Sequence, residues 1–169
     1  MKIRLATSND MNDINCLFKE VIKDLKENKK IDMLWGDIYP FCEFEADISN
    51  NNMYILEDKG KIIGSFSITD EDDPDYKNID WNFKDNKHIY LNRLVVLPSE
   101  QGNGYARKML EYIENYAKEN NFQVIRLTVY NENANAIKLY EKYGFKKVTK
   151  GDWKLEDKTF IGYEKKLRP

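Results

Sequence analysis

The stretch of sequence that decides the fold lies at residues 98–106 and reads PSEQGNGYA. It follows a continuous apolar run at residues 94–97, which is typical of a buried strand, and it precedes apolar residues that recur at helical spacing over 106–117. A strand therefore feeds directly into a helix, and the two glycines allow the chain to turn tightly between them. Free N–H groups at such a helix start carry partial positive charge, so the pattern predicts a turn that binds a phosphate or another anion.

Two common phosphate motifs do not fit this turn. Arg107 and Lys108 follow it where a P-loop needs Lys and then Ser or Thr, and the run G-x-G-x-A differs from the G-x-G-x-x-G of dinucleotide sites. A plain tight turn between a strand and a helix, with no ligand, is the alternative interpretation of the same residues.

Hydrophobic periodicity predicts the other elements in alternating order. Strands are predicted at residues 2–6, 53–56, 61–69, 88–97, 124–130, 145–149 and 159–166. The strands at 53–56 and 61–69 are joined by a turn at 58–60. A helix capped by Ser8 or Asn9 carries an apolar stripe from Ile14 to Leu25, a short helical arm breaks at Tyr39-Pro40, and another helix spans 134–143 up to Gly144. Residues 70–87 are expected to form a long acidic loop. The order predicts a mixed sheet with helices on both faces.

Composition narrows the class of protein. The chain has 169 residues and a net charge of −2 from 27 basic and 29 acidic side chains, which argues against nucleic-acid recognition by a basic surface. A single domain over 1–169 is expected, and its apolar runs fall far short of the ~20 residues that span a membrane. With no signal-peptide pattern, the chain is predicted to be cytoplasmic. Cys16, Cys42 and the single histidine, His88, show no metal-ligand spacing, so no metal is expected.

The glycine turn and a second motif together resemble one known family. Gln101-x-x-Gly104-x-Ala106 resembles the pyrophosphate motif Q/R-x-x-G-x-G/A of the GNAT N-acetyltransferases, and residues 133–145 are similar to the family's N-x-x-A-x-x-x-Y-x-x-x-G-F run. The opening residues 3–10 are also similar to the family's first strand and helix start. The resemblance implies a GNAT-like α/β (α+β) fold with a mostly antiparallel central sheet of about seven strands. It further implies direct transfer of an acetyl group from acetyl-CoA to a primary amine of a small molecule or peptide.

The resemblance also implies a role for particular residues. The main chain of the strand would pair with the pantetheine arm of CoA, near a bulge expected around Val96, whose N–H would stabilise the oxyanion. Asn133 would hold a pantetheine amide, and Tyr140 would protonate the departing thiolate. The residues expected to bind CoA are Leu94, Val95, Val96, Gln101, Gly102, Asn103, Gly104, Tyr105, Ala106, Arg107, Asn133 and Tyr140. From spacing alone, Tyr140 would read as part of an apolar helix stripe.

The residue that takes the proton from the amine stays open. Tyr90 occupies the strand position where some branches of the family carry a glutamate, and a neutral tyrosine is a poor base. Asn92, on the same face, cannot act as a base. His88 as base or relay, and a water chain ending at Asp70 or Glu71, are the alternatives. A covalent route through Cys42, or through Cys16, which is expected to be buried, is disfavoured.

The acceptor is not defined by the sequence. Trp35, Tyr39, Phe41, Phe44 and Trp153 either line an acceptor cleft or close the core, and the acidic run at 70–75 either attracts a cationic amine or is simply solvated. A non-catalytic acyl-CoA sensor of the same fold is the main alternative function, and a binder of another phosphate ligand is a further one. A homodimer is plausible.

Overall fold

The computed structural model describes residues 1–168. Within them the elements follow in this order: β1 (Lys2–Leu5), α1 (Met11–Glu27), α2 (Phe44–Ser49), β2 (Met53–Asp58), β3 (Lys61–Thr69), β4 (His88–Val96), α3 (Tyr105–Glu119), β5 (Val124–Tyr130), α4 (Ala134–Lys142), β6 (Lys146–Lys147), β7 (Trp153–Leu155) and β8 (Lys158–Lys166). They form two compact units. The first unit comprises Met1–Ile68 and Asn92–Tyr112, and the second comprises Thr69–Leu91 and the described chain from Ile113 onward.

The first unit is built on an antiparallel meander. β1 pairs with β2 and β2 pairs with β3, and the N–H of Leu97, just after β4, donates to the Ile63 carbonyl at 2.8 Å. The β2–β3 turn places Lys59 and Gly60 at φ +49° and +77°, the left-handed conformation of a tight hairpin. The predicted hairpin is therefore confirmed.

Helix α1 carries the predicted apolar stripe but not the predicted cap. Ile14, Leu17, Phe18, Val21 and Leu25 are buried along one face. Ser8 and Asn9 lie inside a short 3-10 turn, and the N–H and Oγ1 of Thr7 instead donate to Asp10 Oδ2 at 2.8 and 3.0 Å. The expected cap at Ser8 or Asn9 is wrong because Asp10, three residues after Thr7, reaches back to it as in a capping box.

The second unit is a mixed sheet around β5. β5 runs parallel to β4 over three pairs, His88↔Val124 to Tyr90↔Arg126, and antiparallel to β8 over its full length. β8 also pairs with β6 and β7. The order of the hydrogen-bonded strands is β1-β2-β3-β4-β5-β8-β6, with β7 on β8. The prediction of a mixed, mostly antiparallel sheet is confirmed.

The sheet has eight strands rather than about seven. The extra strand is β7, at residues that were expected to be a loop, where a two-residue turn with Glu156 at φ +56° folds it onto β8. The strand expected over 145–149 shortens to β6, two residues long. The acidic loop at 70–87 holds a 3-10 turn, Pro74–Asn78, followed by buried Ile79 and Trp81. Among the helices described, none is both long and apolar enough to cross a membrane.

Candidate functional site

The predicted anion-binding turn lies between β4 and α3 in the first unit. Gly102 and Gly104 have φ of +84° and +80°, a conformation that residues with a side chain rarely adopt. A Cβ built on either glycine would meet no protein atom within 4 Å. The main chain of the turn is thus open on the side that a side chain would cover, which fits the close approach of a phosphate to its N–H groups.

Gln101 connects this turn to two other elements. Its Nε2 donates to the Val96 carbonyl at 3.0 Å, which holds the turn against the end of β4. Its Oε1 accepts a 2.7 Å hydrogen bond from Lys29 Nζ, and Lys29 also pairs with Asp24 at 2.9 Å. A cation from the end of α1 therefore stands beside the turn. No pattern in the sequence predicts this contact, since Lys29 and Gln101 are 72 residues apart.

Strand β4 carries a backbone irregularity next to the turn. Its pairing with β5 ends at Tyr90, and Arg93 adopts φ +52° in the middle of the strand, which costs an L-residue roughly 1–2 kcal/mol. The irregularity was expected near Val96, so it lies three residues earlier than predicted. Leu94, Val95 and Val96, the residues expected to pair with pantetheine, follow directly after it.

The Arg93 side chain is buried beneath this irregularity. Its guanidinium pairs with Asp47, which also accepts from Ser67 Oγ at 2.9 Å, and it donates to the Tyr39 hydroxyl at 3.4 Å. Its Nε has no hydrogen-bond partner within residues 1–168. A buried ion pair thus fixes the strand to α2 where its backbone departs from regular geometry.

Asn133 and Tyr140 lie together at α4 in the second unit. Asn133 precedes the helix, and its Oδ1 accepts from the Ala136 N–H at 3.3 Å as an N-cap. Tyr140 is 9% exposed and packs edge-on against Phe145 at 5.7 Å between ring centroids. Burial raises the pKa of its phenol above the ordinary value, so the side chain stays protonated at neutral pH.

The candidates for the proton acceptor converge on a carboxylate that the sequence did not single out. The Tyr90 hydroxyl donates to Asp72 Oδ1 at 2.8 Å, and His88 Nε2 lies 3.0 Å from the same oxygen. Burial is the largest cause that raises the pKa of Tyr90, to about 12, so the phenol stays neutral at neutral pH. Asp72, rather than Asp70 or Glu71, is the acidic residue that contacts this strand face.

A buried ion pair supports that face from below. Arg126 on β5 and Glu164 on β8 pair at 3.3 Å with side chains 4% and 1% exposed. Arg126 also donates to the Tyr90 hydroxyl at 3.3 Å and stacks its guanidinium over the Trp81 ring at 4.9 Å. Glu164 accepts from the N–H and Nδ2 of Asn82 at 2.9 and 3.0 Å. Both charges are therefore well satisfied, as buried charges must be.

Most of the aromatic residues considered for the acceptor cleft pack into a core. Phe44 is fully buried against Phe18 of α1 with 4.6 Å between ring centroids, Trp35 packs on Phe18 at 5.8 Å, and Phe41 packs on Phe44 at 5.5 Å. Tyr39 is 39% exposed.

In the second unit, Trp153 packs on Phe160 and Tyr76, with ring centroids 4.5 and 5.9 Å apart.

In the first unit, Cys16 is exposed, so the expectation that it is buried is wrong: it lies on the helix face opposite the apolar stripe. Cys42 is exposed too, and the pKa of its thiol is raised by desolvation and by Glu43, which disfavours a nucleophilic thiolate. Within residues 1–168, no three His, Cys, Asp or Glu side chains group as metal ligands.

The irregular strand, the open glycine turn and the order of the strands agree with the fold of the family that the sequence resembles. The chain belongs to the acetyltransferase (GNAT) family, whose model matches residues 18–145. No curated protein matches the chain.

Solved structures share the fold along almost the whole chain. A protein of Staphylococcus aureus Mu50 assigned as an acetyltransferase is 26% identical with a TM-score of 0.77, covering 99% of this chain and 100% of its own. A GNAT-family acetyltransferase of Streptococcus agalactiae 2603 is 19% identical with a TM-score of 0.84, covering 99% and 96%. The ribosomal-protein-S18-alanine N-acetyltransferase of Escherichia coli is 17% identical with a TM-score of 0.69, covering 98% and 93%. At 17–19% identity, the last two show a shared fold alone.

Proposed function

We propose that this chain transfers an acetyl group from acetyl-CoA directly to a primary amine of a small molecule or peptide. The observation that carries the proposal is the turn at Gly102 and Gly104, whose left-handed glycines leave the main chain at the start of α3 uncovered. A pyrophosphate needs this combination of several N–H groups and a helix N-terminus. The GNAT family generally uses acetyl-CoA as the acetyl donor, which agrees with that reading of the turn.

On this proposal, CoA would be held by three parts of the chain. The turn from Gln101 to Arg107 would bind the pyrophosphate through the N–H groups of Gly102, Asn103, Gly104, Tyr105 and Ala106. The main chain of residues 94–96, just past the irregularity at Arg93, would pair with the pantetheine arm as an added strand. Asn133, whose Oδ1 caps α4, would meet a pantetheine amide.

The remaining residues would assist the transfer. The thioester supplies the activated acetyl group. The Val96 N–H would stabilise the negative charge that develops on the acetyl oxygen as the amine nitrogen forms its bond to the carbon. As the carbon–sulfur bond breaks, the electron pair stays on sulfur and Tyr140 would give the sulfur its proton, later regained from water. Burial supports this role, because it keeps the phenol of Tyr140 protonated.

The acidic residues between β3 and β4 favour an acceptor amine that arrives as a cation. The segment between β3 and β4 carries Asp70, Glu71, Asp72, Asp73 and Asp75, and such a field raises the local concentration of ammonium groups. A cytoplasmic location, the absence of nucleic-acid and membrane partners, and a homodimer stay predictions.

The test is thiol release from acetyl-CoA against a panel of amines, with a thermal-shift titration of CoA alongside. The panel holds polyamines, aminoglycosides, free amino acids and short peptides with a free α-amine. Stabilisation by CoA plus thiol release with one amine class would support the proposal and name the acceptor. Stabilisation without release from any amine would favour the non-catalytic sensor, and the absence of stabilisation would contradict CoA binding. ATP and NAD serve as controls, since a general phosphate site would bind them as well as CoA.

A further inference from the structure

We propose that Asp72 takes the proton that the acceptor amine must lose, and that Tyr90 holds the Asp72 carboxylate in place for this step. The inference rests on the proposed function, because it assigns the proton acceptor of the same reaction. It answers a question that the motifs leave open, since the strand itself offers only Tyr90, Asn92 and His88 as polar side chains on the relevant face.

A hydrogen bond connects the exposed carboxylate of Asp72 to the buried side chain of Tyr90. The Asp72 side chain is 76% exposed, whereas Tyr90 is 2% exposed. The Tyr90 hydroxyl donates to Asp72 Oδ1 at 2.8 Å, and Tyr90 is itself fixed by the hydrogen bond from Arg126. His88 Nε2 lies 3.0 Å from the same Oδ1 and also 3.0 Å from Arg126 Nη1, so it lies between the guanidinium and the carboxylate. Both contacts end on one oxygen, so neither uses Oδ2.

The position of Tyr90 explains why a carboxylate is useful there. Tyr90 is the last residue of β4 that pairs with β5, and the strand continues from it to residues 94–96, where the thioester would lie. A phenol with a pKa of about 12 does not accept the proton, and its oxygen already receives a hydrogen bond from Arg126. The hydroxyl instead presents a carboxylate from the β3–β4 segment at the place where the strand has none.

The surrounding charges keep Asp72 ionised. The hydrogen bonds from His88 and Tyr90 are the largest causes that lower the pKa of Asp72. Arg126 adds positive charge from β5 and is balanced by Glu164 from β8, while the neutral phenol of Tyr76 packs on Tyr90 at 5.5 Å. Asp72 is therefore an anion at neutral pH and can pair with an ammonium before it receives a proton.

The proton step balances without any further reactant. The ammonium first gives one proton to Asp72, which passes it to water, and the neutral amine nitrogen then attacks the acetyl carbon. As the new bond forms, the nitrogen becomes positively charged, and a second proton moves from it to Asp72 Oδ2. The carbon–sulfur bond then breaks, the electron pair goes to sulfur, and the neutral amide remains. Asp72 is largely exposed, so it passes the proton to water and is an anion again for the next cycle.

The experiment compares Asp72→Asn with Asp70→Asn, which removes the same charge from the same segment without touching Tyr90 or His88. With the amine that the panel identifies, we expect Asp72→Asn to lower kcat about 100-fold. We expect the KM for acetyl-CoA and the CoA-dependent thermal shift to stay unchanged. Both variants should raise the KM for a cationic amine, because each removes one charge from the acidic segment, whereas the kcat of Asp70→Asn at saturating amine should stay within about twofold of the parent. The deficit of Asp72→Asn should shrink as the pH is raised, because hydroxide then replaces the missing base.

A rescue pair separates a catalytic from a structural role. Asp72→Asn combined with Tyr90→Glu puts a carboxylate on the strand itself and should recover part of the turnover, whereas Asp72→Asn combined with Tyr90→Gln should not. As a positioning residue, Tyr90 should lose its effect once its partner is gone, so Tyr90→Phe should lower kcat in the parent and leave kcat unchanged in the Asp72→Asn background.

Equal turnover of the Asp72→Asn and Asp70→Asn variants would overturn the inference and leave the proposed function standing. Rescue by glutamine as well as by glutamate would also overturn it, because no base is then needed at that position. If the parent protein binds CoA but acetylates no amine of the panel, the proposed function fails instead, so the two failures are distinguishable.

Discussion

Replacing Gly104 by alanine tests the CoA site against a matched control elsewhere in the first unit. Gly104 at φ +80° and Gly60 at φ +77° share one backbone conformation, and a Cβ on either meets no protein atom within 4 Å. Both substitutions therefore force a side chain into the left-handed region and should lower the free energy of unfolding by roughly 1–2 kcal/mol each. Thermal melting should show the same decrease for both, because the strain is the same.

Only Gly104→Ala should also weaken CoA binding. Its methyl group would occupy the open space over the turn and keep a phosphate from the N–H groups, losing at least one charge-assisted hydrogen bond. Such a bond contributes roughly 1.5–3 kcal/mol, which corresponds to an increase of about 10- to 150-fold in the Kd for CoA. The assay is a calorimetric titration with CoA. Acetyl-pantetheine, which lacks the pyrophosphate, should bind the two variants alike.

Two outcomes would refute this reasoning. If Gly104→Ala bound CoA as tightly as Gly60→Ala does, the turn would not contact the pyrophosphate. If Gly104→Ala weakened acetyl-pantetheine as much as CoA, the substitution would act through a wider distortion of the turn rather than through the lost phosphate contact.

Further predictions concern the acid and two ion pairs. Tyr140→Phe should keep the thermal shift with CoA but lower thiol release by roughly 100-fold or more, and unchanged release would remove Tyr140 from the mechanism. Hydrogen bonding to Arg4 lowers the pKa of Asp10 from 3.8 to about 2, so its contribution to stability is present above about pH 4 and is lost as the pH falls toward 2. Asp10→Asn should thus remove about 2 kcal/mol at neutral pH and flatten that part of the pH profile of urea unfolding; an unchanged profile would contradict this assignment. Glu164→Gln leaves the buried Arg126 charge unpaired and should cost about 3–5 kcal/mol in urea unfolding, with a cost under about 1 kcal/mol as the contrary result.

The elements that were predicted well from the sequence are those in which most residues fit the hydrophobic pattern of the element. β5 was predicted at its observed bounds because six of its seven residues are apolar or β-branched, a composition typical of a buried strand. β7 has three residues, of which two are exposed, so it leaves no alternation to detect, and its pairing with β8 decides it. Cys16 was misjudged by residue type alone, since free cysteine is often buried, while its position faces away from the stripe of α1.

Some features of the candidate site could likewise be predicted from the sequence, and others could not. The glycine turn was predictable because the conformation that it requires is nearly specific to glycine, and the observed φ values confirm that requirement. Lys29 and Arg93 were missed because their roles depend on partners far away in the sequence: Gln101 for Lys29, and Asp47 for Arg93. Periodicity reports which face of an element a residue occupies, and it carries no information on which distant side chain meets that face.

Asp72 shows why the absence of a residue from a motif is weak evidence about chemistry. Judged by strand position alone, Tyr90 implies that the carboxylate is missing and favours a non-catalytic protein. In the fold, the phenol of Tyr90 lies 2.8 Å from a carboxylate that belongs to another segment, and the buried pair of Arg126 and Glu164 keeps the phenol where it is. A tyrosine at this strand position can hold a carboxylate from another segment near the place where a glutamate side chain would otherwise lie. The reaction requires a particular chemical group at a particular place in the site. That group can come from the strand or from the loop that packs against the strand.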